Sequence, residues 1–157
     1  MLEVLYLFQS KHLNILILIE KEDKEFFRER AKQVCDVIYI NHPIEYNTSI
    51  SVYFYQRALF RQYNGEAKAS CRFNKNMTKN DLINLVHRLK IDLKYLKRDL
   101  DFRLRGNDVD ATNEKYDGIE NQYAYKSGTF EAMVKMDNDT FERAIKTIEE
   151  MEKSMTS

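Results

Sequence analysis

Three histidines, two cysteines and one acidic repeat are the groups in this 157-residue chain best suited to chemistry. A metal centre or an activated thiol needs such groups close in sequence or at helical spacing, so that the backbone aims them at one point. His12, His42 and His87 each stand alone, outside any H-x-x-x-H, H-E-x-x-H or Cys/His cluster. Cys35 and Cys71 are far apart and neither begins a C-x-x-C pair, which reads as two reduced thiols in a cytosolic protein. Asp108-Val-Asp110-Ala-Thr112 opens like a calcium loop. The sixth position, where the turn wants Gly, is Asn113; the twelfth, where Glu should bind, is Ile119, with Glu120 one place late. A solvated acidic loop is the better reading. Neither a phosphate-cradling glycine loop nor a G-x-S-x-G elbow is present in the sequence. The expectation is a non-enzymatic protein without metal or cofactor.

Charge offers more. The chain carries 25 basic and 25 acidic residues and a net charge of zero, which argues against a uniformly basic nucleic-acid binder. The zero is segregated, however. Residues 1–67 hold 8 basic and 9 acidic residues, 68–105 hold 11 and 4, and 106–157 hold 6 and 12. Lys94, Lys97, Arg98, Arg103 and Arg105 are the densest basic group, with Tyr95 and Phe102 interleaved. Two readings stay open: the acidic C-terminal part folds back on the basic one, or a basic face meets phosphate or an acidic partner. Tyr116, Tyr123 and Tyr125 stand in an Asn-rich, acidic stretch, a setting that suits recognition.

These residues need elements to hold them. Leu2–Phe8 and Leu13–Glu20 are apolar runs joined by Gln9-Ser10-Lys11-His12, the pattern of a β-hairpin. The second run is nearly continuous, which predicts a central strand covered on both faces. Asp23–Cys35 shifts to helical period, with Asp23 as N-cap, and predicts a helix covering the sheet. Residues 36–41 and 49–60 are β-branched or aromatic, and Ala67–Phe73 fits a returning strand after the Tyr63-Asn64-Gly65-Glu66 turn. For residues 53–63 strand and helix both remain open.

Beyond Asn76 the character changes. Residues about 80–105 lack Gly and Pro, and Thr78-Lys79-Asn80-Asp81 offers a cap. Leu82, Val86, Leu89, Leu93, Leu96 and Leu100 follow a 4-3-4-3-4 spacing, a heptad seam. With Leu82 at position d, Lys90 and Lys97 fall at e and Asp92 and Asp99 at g, so Asp92 would face Lys97 of a second parallel copy. The seam predicts a homodimer or a partner helix; packing on the chain's own N-terminal sheet or on the Asp139–Met155 helix is the alternative. Residues 106–128 read as an irregular acidic loop and residues 129–136 as a short strand. Residues 139–155 form an amphipathic helix with Phe141, Ala144, Ile145, Ile148, Met151 and Met155 on one face.

The fold class is therefore α+β. A small mixed or antiparallel sheet with a covering helix occupies residues 1–76. Residues 77–157 add the long basic helix, the irregular loop, the short strand and the C-terminal helix, and the length fits one compact domain. The longest apolar run, Leu13–Ile19, is far below the roughly 20 residues of a membrane span, and the expectation is a soluble cytoplasmic protein. Function is expected to be docking on a macromolecular partner, as in an accessory or mobile-element inhibitor or modulator. A nucleic-acid-associated regulator using the basic helix, and a small enzyme with an unrecognised site, are the alternatives.

Overall fold

In a computed structural model of the chain, the residues described are 3–20, 36–45, 48–56, 78–104, 114–115, 122–127, 130–135 and 139–156. The expected covering helix Asp23–Cys35, the returning strand Ala67–Phe73 and both cysteines lie outside them, as do residues 57–63. The described chain is an antiparallel sheet with two helices, an α+β fold.

The strands are β1 (Glu3–Gln9), β2 (Asn14–Glu20), β3 (Ile38–Glu45), β4 (Thr48–Tyr55), β5 (Glu114–Lys115), β6 (Gln122–Lys126) and β7 (Glu131–Lys135). The helices are α1 (Lys79–Leu104) and α2 (Thr140–Thr156). Strand order is β1-β2-β4-β3-β7-β6-β5, and every pairing is antiparallel. The expected first hairpin forms with Leu7 opposite Leu16 and Phe8 opposite Ile15, and a register shift lies between Val4 and Tyr6.

Alternation along the strands sorts the core into two layers. Ile15 and Ile17 of β2, Ile38 and Ile40 of β3, Val52 and Phe54 of β4, and Ala132 and Val134 of β7 face the helices and pack into one cluster with them. Their neighbours Leu16, Leu18, Tyr39, Tyr53, Tyr55 and Met133 point to the opposite face and are buried as well. β2 is thus covered on both sides, as its continuous apolar run implies. Thr48–Tyr55 is strand, which resolves the described part of the ambiguous 53–63 stretch.

Two expectations need correction. The sheet is not confined to the first 76 residues: β7 pairs with β3 through Ile38–Val134 and Tyr39–Met133, so C-terminal strands complete it. The 106–128 stretch is not irregular throughout, because Gln122–Lys126 is strand β6, hydrogen-bonded to β7. Gln-Tyr-Ala-Tyr-Lys is short and its one small apolar residue is Ala124, so its strand character comes from its neighbour in the sheet.

The seam of α1 has a partner within the chain. Leu82, Val86, Leu89, Leu93 and Leu96 are completely buried, in one cluster with the sheet and with Phe141, Ala144, Ile148, Met151 and Met155 of α2. The homodimer expected through this seam would need side chains that the chain's own core already covers; Leu100 lies on α1 with its side chain outside the described set. The heptad spacing is real, but 3-4 spacing is equally the signature of a helix lying on its own domain.

Candidate functional site: the outer face of the long helix

α1 is 26 residues long, roughly 39 Å at 1.5 Å per residue. Its start is fixed by reciprocal hydrogen bonds: the Asp81 amide donates to Thr78 Oγ1 at 3.1 Å, and the Thr78 amide donates to Asp81 Oδ2 at 2.9 Å. This is the capping box the sequence offers, with Asp in place of Glu. Once the Leu and Val stripe is buried, the opposite stripe must face solvent.

That outer stripe comprises Asn84, His87, Arg88, Ile91, Lys94, Tyr95 and Arg98, all exposed. It runs roughly 21 Å along the helix. Between Asn84 and Arg98 its exposed residues include no acid; exposed Asp81 lies one turn earlier, in the cap, and the side chain of Asp101 is outside the described set. The two carboxylates in the same part of the helix, Asp92 and Asp99, are turned inward and are only 5% and 7% exposed. Among the described residues, Arg88, Lys94 and Arg98 form no ion pair. Ile91 and Tyr95, 44% and 48% exposed, sit in the middle of these cations. The Arg98 guanidinium lies over the Tyr95 ring at 4.8 Å from its centroid, a cation–π contact.

The expected site residues divide accordingly. Lys94, Tyr95 and Arg98 come together on this outward face. Lys97 is half-buried at its side. Phe102 and Arg103 lie in the last turn of α1 and Tyr123 lies in β6, with their side chains outside the described set; Arg105 and Tyr116 are outside the described residues altogether. Tyr125 lies in β6 and not on that helix face. It is half-buried on the helix-facing side of the sheet, packed on the core and against Phe130 at 5.3 Å between ring centroids. Alternation in β6 sends it inward, opposite Ala132. His87, Arg88 and Ile91 were not among the expected site residues; the seam alone, read as the buried side, would have placed them on the stripe.

The acidic C-terminal part does fold back on α1, but at one margin. Lys90, half-buried, reaches Glu149 at 3.8 Å and Glu152 at 3.5 Å on α2. The fold-back reading is thus seen at Lys90, while Arg88, Lys94 and Arg98 stay exposed on another side of the same helix.

Asp92, which the heptad reading sets opposite Lys97 of a second copy, is engaged within the chain: its Oδ2 sits 2.9 Å from Nε2 of His42 on β3, and both side chains are almost wholly buried. The two atoms do not line up as a straight hydrogen bond, so the contact is a close polar pair. His42 also packs on Phe130, with ring centroids 5.7 Å apart. This pair has the composition of an acid–base dyad, and both of its side chains are buried between sheet and helix.

A second polar cluster lies on the far face of the sheet. Glu20 is 0% exposed, and its carboxylate accepts from Ser51 Oγ at 2.6 Å, Tyr53 OH at 2.9 Å and Tyr39 OH at 3.3 Å. Asn41 Nδ2 donates to Ser49 Oγ at 2.6 Å and to Ser51 Oγ at 3.3 Å. A buried carboxylate is tolerated when its lone pairs are occupied in this manner. The sequence signal was slight: a Glu ending an apolar strand, and serines alternating with apolar residues in Thr48–Tyr55. Beside this cluster, burial pushes the Tyr55 phenol well above the usual tyrosine range. Among the described residues no group of three or more His, Cys, Asp or Glu side chains is arranged to hold a metal ion.

No family model, no curated protein and no solved structure matches this chain. Among the described residues no helix is long and apolar enough to cross a membrane. The outer face of α1 is therefore weighed on its own physical chemistry.

Proposed function

We propose that this protein is a non-enzymatic binding module that acts by docking on another protein, with the outer face of α1 as its working surface. The observation that carries the reading is the sorting of charge along the middle of α1: the carboxylates of Asp92 and Asp99 are buried, while Arg88, Lys94 and Arg98 and two half-exposed apolar side chains face outward. An ordinary solvated helix face mixes signs and gains from i,i+4 pairs. Burying Asp92 and Asp99 instead costs desolvation, and it leaves the exposed residues between Asn84 and Arg98 without an acid. Tyr and Arg are also the residues most enriched where binding energy concentrates. An accessory or mobile-element inhibitor or modulator would work on these terms, by occupying a surface of a cytoplasmic machine.

Affinity purification from the source cell tests the reading. The wild-type chain is expected to recover one protein in stoichiometric amount, and a Tyr95→Ala/Arg98→Glu variant to lose it. Identical recovery with both chains would sink the assignment of the surface.

Arg88, Lys94 and Arg98 also support the second reading, a nucleic-acid-associated regulator, because a helix of this width enters a major groove. The net charge of zero and the two apolar residues at the centre of the stripe weigh against it. A gel shift at low salt decides, since phosphate contacts are strongest there.

A further inference from the structure

The geometry points to the class of partner, and this step rests on the docking reading above: we infer that the outer face of α1 takes an acidic amphipathic helix of the partner protein, lying along α1. Shape is the first argument. Beyond the acidic cap residue Asp81, the exposed positions 84, 87, 88, 91, 94, 95 and 98 follow three- and four-residue spacing, so they form one straight ridge on a convex cylinder. The surface that meets such a ridge over three to four turns is the groove between side-chain rows of a second helix, at about 8–10 Å between axes.

Charge is the second argument. Arg88, Lys94 and Arg98 have no counter-ion among the described residues, and Asn84 and His87 add no negative charge. The complementary ligand supplies carboxylates one helical turn apart. Chemistry at the centre is the third. Ile91 and Tyr95 are one turn apart, and each leaves nearly half of its surface in water. A ligand that offers only anions leaves that surface wet, whereas an acidic helix with an apolar row between its carboxylates covers it and neutralises the cations together. The Tyr95 ring, already held under Arg98, is preorganised as the anchor of such a contact.

Lys90 provides an internal precedent. It is already engaged by two carboxylates of a neighbouring helix, Glu149 and Glu152, one side of α1 away. The partner helix repeats on the exposed face what α2 does at the margin.

The test is selection from a displayed library of helical peptides about 20 residues long. Binders to the full wild-type chain are counter-selected on an Arg88→Glu/Lys94→Glu/Arg98→Glu variant shown to melt at the wild-type temperature. The expected binders carry Asp or Glu at i,i+4 spacing around an apolar row. Their affinity should fall as ionic strength rises from about 0.05 to 0.5 M, and Tyr95→Ala should weaken them roughly tenfold or more. A mixed-sequence DNA duplex of about 20 base pairs is the competing probe. The inference is overturned by α1-dependent binders without acidic excess, by a library with no α1-dependent binders, by acidic binders indifferent to Tyr95→Ala, or by the duplex displacing the peptides at equal concentration. If the library fails while capture of a cellular partner still depends on Tyr95 and Arg98, only the partner class is wrong. If both are indifferent to these residues, the docking surface itself is wrong.

Discussion

One helix, α1, carries two faces that treat charge in opposite ways. Toward the sheet it presents Leu82, Val86, Leu89, Leu93 and Leu96, together with the carboxylates of Asp92 and Asp99. Toward solvent it presents Arg88, Lys94 and Arg98 around Ile91 and Tyr95. Stability alone would favour the reverse: carboxylates in water and the apolar pair inside. The difference teaches that the inner face is built for the fold, whereas the outer face carries features that folding does not require.

The largest expected effect tests the inner face. Leu89→Ala removes a fully buried side chain from between sheet and helices and should cost about 2–5 kcal/mol in urea unfolding. A loss under about 1 kcal/mol would mean that the inner face is not the core.

The far face of the sheet supplies a polar counterpart. Glu20→Gln retains the size of the side chain but removes the charge that three hydroxyls approach, and should cost about 1.5–3 kcal/mol by the same measurement. An unchanged midpoint would show the cluster to be incidental.

Asp92→Ala sharpens the comparison within α1. It removes the carboxylate beside the buried His42 imidazole and should cost about 1–3 kcal/mol. Lys94→Ala, a substitution one turn-face away on the outside, should stay within about 0.5 kcal/mol. Equal costs would erase the distinction between the faces.

Tyr55 predicts the direction of an alkaline limb. Its phenol is held protonated in the fold, while the unfolded chain ionises near the ordinary value of 10.0. The unfolded state then binds fewer protons than the native one, so stability falls as pH rises above about 10 and is unaffected by this group below it. Thermal melts across that range should show Tyr55→Phe with a shallower decline than wild type. The smallest stability effect belongs to the outer stripe proposed for docking: Tyr95→Ala and Arg98→Glu should leave the melting temperature nearly unchanged while abolishing partner recovery.

The sequence made several of these features legible, and the reasons differ by element. β1 and β2 were readable because two apolar runs with a polar turn admit few other structures. The cap at Thr78 and Asp81 was readable because it is local in sequence. α2 was readable because its apolar face has an unbroken 3.6-residue period. Charge density marks Lys94 and Arg98, with Tyr95 interleaved, in the sequence; that all three share the exposed side of α1 is shown by the structure. β6 was not readable, since its strand character depends on pairing with β7. Tyr125 was assigned to a recognition loop for the same reason, and strand alternation turned it inward instead.

The sequence by itself determined that the long helix has an apolar stripe, that its approach is basic, and that the remainder balances it to zero. Those properties are additive over residues and need no neighbours. Only the tertiary structure decided which way each stripe faces. A heptad seam is satisfied equally by a second copy or by the chain's own sheet, because burial rewards apolar area without regard to its source. Packing on the sheet consumed the seam, placed Asp92 beside His42, and by elimination set the cations outward. Long-range contacts brought residues 20, 39, 51 and 53 into one polar cluster, and no local pattern encodes that meeting.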